Sequence, residues 1–221
     1  MGSLASIPAL RALPPGALAE LADRTRAVSF AAGTVLRPAG AAAHSVVFLL
    51  AGTIVATHLT STGAEMWPER WAGPAIVDKA AVLDGGSPVT GLTALTAVSA
   101  RLLDRAGFRT LLEREQSVRT HVLTRLARDA MASRRRLVHA VTLPAVARVA
   151  VWLSEQTGSG RVAWPGTQEQ LAQLLGLSRV TMNRALARLA RAGAVELTGH
   201  GIVIADRVRL AAMAGDSGAT R

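Results

Sequence analysis

The chain of 221 residues contains no cysteine and no tyrosine. Without thiols it can form no disulfide, no thiolate metal site and no cysteine-ligated iron–sulfur cluster. Lysine is nearly absent, with Lys79 alone among arginines. Arginine and alanine are both heavily used, so this reads as a coding bias and not as a functional sign. No apolar run reaches the length of a membrane span. The opening MGSLASIPALRALPPG has no basic segment followed by an apolar core. No signal peptide is therefore expected, and the chain is placed in the cytoplasm. The five histidines, His44, His58, His121, His139 and His200, show neither H-x-H nor H-E-x-x-H spacing, and no metal site is predicted. No P-loop, paired-carboxylate or Ser-His-Asp arrangement is readable, so an enzyme is not expected.

What is present is a half-apolar chain with a formal net charge of +10. Its length suits two domains. The basic excess is spread over both halves, +6 in residues 1–140 and +4 in residues 141–221. Such a chain favours polyanions, and each phosphate contact releases counterions. A membrane surface would share that attraction, but no polybasic amphipathic tail is seen, and no membrane partner is expected.

The richest stretch runs from Thr167 to Ala192, TQEQLAQLLGLSRVTMNRALARLARA. Thr167 with Gln170 fits a capping box. Leu171, Leu174 and Leu175 recur at helical spacing. Gly176 accepts a positive φ at the helix end, Leu177 can plug the gap, and Ser178 is a good N-cap for a second helix. There Met182, Ala185, Leu186 and Leu189 fall on one arc of about 100°. Arg179, Val180, Asn183, Arg184, Arg188 and Arg191 lie off it. Arginines on an isolated amphipathic helix are most often a solvated face. The order cap, apolar triplet, Gly, Leu-Ser and basic helix is much narrower: it is a helix-turn-helix.

The flanks extend the pattern. Val195–Leu197 and Ile202–Ile204 are strand-like runs around the turn-rich Thr198-Gly199-His200-Gly201, which makes a wing. Upstream, PAVARVAVWLSEQ (Pro144 to Gln156) is an apolar-periodic helix with Pro in its first turn. Arg161 to Trp164 forms a short strand. From Thr142 to Gly215 the expected order is helix, strand, helix, helix, two strands, short helix.

These residues resemble the DNA-binding domain of the Crp/Fnr superfamily of bacterial transcription regulators. The resemblance rests on Arg148-Val149-Ala150 with Trp152-Leu153, Thr167 to Ala172, Gly176-Leu177-Ser178-Arg179, Arg184, and Gly199 with Ile202-Val203. In the catabolite activators of that family an Arg-Glu pair opens the recognition helix and a later Arg completes base reading. Arg179 and Arg184 match that pattern, and Val180 stands in place of the glutamate. A carboxylate accepts a hydrogen bond from cytosine, whereas valine makes only apolar contact, as with a thymine methyl. The target sequence should therefore differ.

Short apolar runs spaced by glycine fill the first half: Val28–Phe30, Thr34–Leu36, Val46–Leu50, Thr53–His58 and Trp67–Trp71. They follow a short helix pair, expected over Leu10 to Arg24 and interrupted at Pro14-Pro15. Regular short strands with Gly turns suggest an all-β barrel or sandwich. The run His44 to Ile54, with Gly33–Leu36 before it and Ala94–Ala97 and Phe108–Leu112 after it, resembles the cyclic-nucleotide-binding β-roll. Binders of that type carry a Gly-Glu pair for the ribose hydroxyl and, about ten residues on, an Arg-Ser/Thr pair for the phosphate. Here Val77-Asp78 stands at Gly-Glu, and Pro88 or Val89 stands at the arginine. A phosphate buried without a cation is strongly disfavoured, so neither cAMP nor cGMP is expected. Asp78, Val89 and Thr90 are the candidate lining of an effector pocket. No cofactor is predicted, although a haem held by one histidine stays open, since some members of the resembled family sense gas that way.

Between the halves, Phe108 to Val138 lacks Gly and Pro. Leu123, Leu126, Ala130, Ser133 and Leu137 follow 3–4 spacing, widened by Val118, Val122 and Met131. Such a helix could pair with its copy, and in the resembled family it is the dimer interface. Arg134-Arg135-Arg136 sits near its end. A turn of the hinge at His139–Leu143 would then control whether two recognition helices reach successive major grooves.

The reading is an α+β chain: an antiparallel, cyclic-nucleotide-binding-like β-roll over residues 1–107, a long dimerisation helix and hinge over 108–140, and a winged helix-turn-helix over 141–221. It acts as a homodimeric transcription regulator on a roughly palindromic site in double-stranded DNA. Arg179, Val180 and Arg184 meet base edges. Thr167, Gln168, Ser178, Thr181, Asn183, Arg188 and His200 meet phosphates. RNA polymerase is an implied partner. The alternatives are a ligand- or haem-sensing regulator of the same family and a winged helix that contacts protein.

Overall fold

The computed structural model describes residues 3–61, 63, 65–156, 161–162, 168–198 and 201–215. The chain divides into two compact units, residues 1–131 and 132–221.

The first unit is built on antiparallel strands. Two short 3₁₀ turns (Leu4–Ser6, Pro8–Leu10) precede α1 (Pro15–Asp23). The expected helix pair is thus one helix preceded by turns, and it begins on Pro15, whose missing N–H is no loss at that position. There follow β1 (Arg26–Phe30), β2 (Val35–Arg37), β3 (Ser45–Ala51), β4 (Thr53–Leu59), β5 (Glu65–Met66), β6 (Arg70–Ala72), β7 (Ala75–Val77), α2 (Lys79–Asp84), β8 (Gly91–Ala94) and β9 (Val98–Asp104). One sheet has the order β1-β9-β3-β7. The other has the order β2-β8-β4-β5, with β6 also on β4.

The two sheets enclose Val47, Leu49, Ile54, Val77, Leu92, Ala94, Val98 and Ala100. The opposite face of β3 is covered as well. Val46 and Phe48 pack with Ile7, Leu10, Leu103 and Phe108. A strand buried on both faces reads as a continuous apolar run, as SVVFLLA does. The β3–β4 turn needs Gly52: its φ is 94°, and a Cβ there would run into the Ala97 carbonyl.

The helical stretch after β9 is two helices. α3 (Arg105–Arg114) starts from Asp104, whose Oδ1 accepts from the Gly107 N–H at 2.6 Å. Glu115, with φ −109° and ψ 93°, ends it, and α4 (Gln116–Thr142) starts afresh. The expectation of one helix from Phe108 to Val138 is corrected on this point: the absence of Gly and Pro permits a helix but does not enforce one. Val118 and Val122 of α4 are buried with the β3–α3 cluster. Leu123, Met131 and Leu137 are exposed.

The second unit follows the expected order. α5 (Ala145–Glu155) leads to β10 (Arg161–Val162), α6 (Gln168–Leu174), α7 (Arg179–Arg191), β11 (Val195–Thr198), β12 (Gly201–Ile204) and α8 (Arg207–Met213). The strands form an antiparallel sheet of order β10-β12-β11. One core holds the unit together, with Val149 and Leu153 of α5, Leu171 of α6, Met182, Leu186 and Leu189 of α7, and Ile202 and Leu210 beyond. Among the described residues no helix is long and apolar enough to cross a membrane.

Candidate nucleic-acid interface

The turn between α6 and α7 is fixed by its backbone. Gly176 has φ 60°. The Leu177 N–H reaches the Ala172 carbonyl at 2.8 Å, and the Gly176 N–H reaches the Gln173 carbonyl at 3.2 Å. This crossed pair is a Schellman motif, and it satisfies carbonyls the helix end would leave open. Leu177 packs half-buried against the core. Arg148, reaching from α5, donates through Nη2 to the Leu175 carbonyl. Burial pushes the Arg148 guanidinium below its ordinary value. Sequence reasoning used Arg148 only as part of a resemblance; its role in closing the turn becomes visible once α5 lies beside α6.

Ser178 then caps α7, its Oγ accepting from the Thr181 N–H at 3.1 Å and lying 2.8 Å from Thr181 Oγ1. At the far end Gly193 (φ 70°) repeats the motif, with the Ala194 N–H on the Leu189 carbonyl at 3.0 Å. Both ends of α7 are therefore closed, and its orientation on the core is set by Met182, Ala185, Leu186 and Leu189, all buried.

The outer face follows from helical geometry. At about 100° per residue, Val180, Arg184 and Arg191 lie opposite the buried arc. Arg179 and Asn183 fall on one flank and Arg188 on the other. All six are exposed, Val180 to 58%. α7 carries no acidic residue, and among the described residues no carboxylate pairs with Arg179, Arg184 or Arg188. Gln168 is exposed at the start of α6, Ser178 is exposed, and Thr181 is half-buried. Thr167 and His200 lie outside the described residues. The wing strands β11 and β12 pair from Val195 opposite Ile204 to Thr198 opposite Gly201. A helix that projects three guanidinium groups without a carboxylate partner from a closed, packed base offers a ready surface to phosphates and base edges.

Residues 146–213 match the Crp-like helix-turn-helix domain family. A CRP-like cAMP-activated global transcriptional regulator of Mycobacterium tuberculosis is 27% identical over 205 residues, covering 89% of this chain and 92% of that protein. Among solved structures, CooA from Carboxydothermus hydrogenoformans superposes with a TM-score of 0.79 at 13% identity, covering 89% and 90% of the two chains. The Thermus thermophilus catabolite activator protein gives 0.55 at 20% identity, covering 96% and 100%. The protein is a DNA-binding transcription regulator, and the relatives it matches are regulators, not enzymes.

In the roll, two of the candidate effector residues, Asp78 and Thr90, are tied together by Arg37. Asp78 is half-buried, and both its oxygens are taken by Arg37: Nε to Oδ2 at 3.0 Å and Nη2 to Oδ1 at 3.1 Å. Arg37 Nη1 also donates to the Thr90 carbonyl at 3.0 Å and the Ala41 carbonyl at 3.2 Å. Val89 is 76% exposed, and its carbonyl lies 3.2 Å from His58 Nδ1. Asp78 is the one described residue other than glycine with positive φ, 64°. Such a position is glycine's by preference. His44, His58 and His121 are exposed and His139 is half-buried. No group of three metal-ligating side chains occurs among the described residues.

Proposed function

We propose that the chain acts as a homodimer that reads a two-fold symmetric duplex site with one α7 per half-site, and that it does so without cAMP. The observation that carries the reading is the outer face of α7, exposed, basic and free of acidic neighbours on its own helix. Arg179, Val180 and Arg184 take base edges. Gln168, Ser178, Thr181, Asn183, Arg188 and the wing take phosphates. Thr167 and His200 keep the phosphate roles assigned from sequence.

Residues 108–140 supply the dimer contact in this reading. Leu123, Met131 and Leu137 offer α4 an exposed apolar stripe, and a stripe of this kind is what a partner helix covers. Two recognition helices then stand about 34 Å apart, one helical turn of DNA. RNA polymerase is the expected partner at promoters.

Independence from cAMP is supported by chemistry at the roll. No arginine stands at Pro88 or Val89 to hold a phosphate, and the Asp78 carboxylate is already engaged by Arg37. One observation favours the other reading: the Mycobacterium tuberculosis relative is named as cAMP-activated. Selection of bound duplexes from random DNA, followed by footprinting with and without cAMP, tests both. A palindromic footprint unchanged by cAMP is expected. A footprint that appears only with cAMP would establish the nucleotide sensor.

A further inference from the structure

Among the exposed side chains of α7, Ala187 and Arg191 have neither a base-edge nor a phosphate contact in the proposed function. Their helical phase sets them in line with two that do. At about 100° per residue, Val180, Arg184, Ala187 and Arg191 fall within about 60° of one another, on the side opposite Met182. At about 1.5 Å per residue this row is about 16 Å long. Base pairs are spaced about 3.4 Å apart, so a helix lying along the groove spans about five of them with this one row. Along it an apolar side chain and a cation alternate: Val180, Arg184, Ala187, Arg191.

The ordinary use of an arginine in the last turn of a helix is to satisfy the open carbonyls there. On α7 that task is done by other groups. The Ala192 N–H donates to the Arg188 carbonyl at 3.1 Å, Ala194 to Leu189 at 3.0 Å, and Gly193 to Ala190 at 2.9 Å. The Ala192 carbonyl accepts from Arg209 Nη1 at 3.1 Å, and Arg209 is itself held by Asp206 at 3.1 Å. Arg191 makes one long bond, Nε to the Ala187 carbonyl at 3.4 Å, and no carboxylate pairs with it among the described residues. The helix end is complete without its guanidinium.

Ala187 contributes by being small. With one carbon beyond the backbone, it lets the helix come close to the groove floor between Arg184 and Arg191. That approach is what a methyl-to-methyl contact with thymine needs. At the last turn the groove curves away from a straight helix, and a long cationic side chain spans the gap to the phosphate wall.

We propose that the reading face of α7 continues for one turn beyond Arg184. Ala187 is a specificity-determining residue that selects a second thymine methyl, and Arg191 is its phosphate anchor. The inference rests on α7 entering the major groove as proposed above. Val180 and Ala187 are seven residues apart, about 10 Å along the axis. Each half-site therefore carries two methyl-selected positions about three base pairs apart.

The test takes the duplex recovered by selection and replaces each thymine in turn by deoxyuridine. This removes a methyl group and leaves every hydrogen-bonding edge intact. Binding to the full chain is followed by fluorescence anisotropy. Two sensitive positions per half-site are expected, each worth about fourfold, the value of one buried methyl group. Ala187→Gln should remove the sensitivity at one of them and keep it at the other, which Val180→Gln should remove in turn. Arg191→Gln should weaken the selected duplex and a scrambled one alike, about eightfold at 0.1 M salt, and lower the salt slope by about one. It should leave the melting of the second unit nearly unchanged, whereas Arg209→Gln, which takes the cap from Ala192, should lower it. A single methyl-sensitive position per half-site, two that both survive Ala187→Gln, or an Arg191→Gln variant that melts lower with an unaltered salt slope overturns the proposal while leaving Arg184 as a reader. A selection that recovers no preferred duplex overturns the reading of α7 itself.

Discussion

Arg37 and Asp78, 41 residues apart in the chain, face each other through two parallel hydrogen bonds of 3.0 and 3.1 Å, with their side chains only 10% and 9% exposed. The fork also holds the Thr90 and Ala41 carbonyls, so one guanidinium ties β2 to the start of α2 and to the loop before β8. Removing one partner leaves the other charge buried and unpaired, at a cost of about 3–5 kcal/mol. Asp78→Ala should lose stability on that scale in urea unfolding of the first unit. Replacing both by Arg37→Met and Asp78→Gly should recover most of it, because no charge is then left buried and glycine accepts the φ of 64°. A single-variant loss under about 0.5 kcal/mol would show that water reaches the pair.

The turn of the helix-turn-helix depends on Gly176 and Ser178 in different ways. Gly176→Ala places a Cβ at φ 60° and should cost about 1–2 kcal/mol. Ser178→Ala removes a cap worth about 1 kcal/mol. Thermal unfolding of the second unit should report both losses. DNA affinity should fall further for Gly176→Ala, since it alters the angle at which α7 leaves α6.

The second unit was legible in its two central helices. Met182, Ala185, Leu186 and Leu189 are the buried arc that their spacing implies, and Gly176 and Ser178 sit where local chemistry places them, because capping and helical phase are set by near neighbours in sequence. The roll was legible in its main strands, where β-branched runs end at glycine. It was not legible where distant residues decide. Arg37 reads as a surface arginine until β2 meets α2. The φ of Asp78 carries no composition signal. α2 is short and alanine-rich, with no periodic stripe to reveal it, and the break at Glu115 has no breaker residue.

Base reading and backbone contact separate experimentally on α7. Arg184 is central to the exposed face and Arg188 lies on its flank. Arg184→Ala should cost about 1–3 kcal/mol on the selected site and little on random duplex, so specificity falls. Arg188→Ala should weaken both DNAs alike and reduce the salt slope by about one. Competition binding at several salt concentrations distinguishes them. An equal loss on both DNAs for Arg184→Ala would assign that side chain to the backbone. A salt-independent affinity would favour a protein-contact role for the winged helix.

The dimer itself is tested at the apolar stripe of α4. Leu123 and Met131 are each 59% exposed, so a charge at either position disturbs nothing within one chain. Leu123→Asp with Met131→Asp should leave the melting of each unit nearly unchanged. In a partner interface the same carboxylates would be buried without cations, a strongly unfavourable state, and sedimentation equilibrium should show monomers. Affinity for the full palindrome should then drop to that of a half-site, because one protomer engages a single groove and the second contact is no longer intramolecular. A variant that remains dimeric with full operator affinity would move the interface off this stripe and leave its exposure without a role.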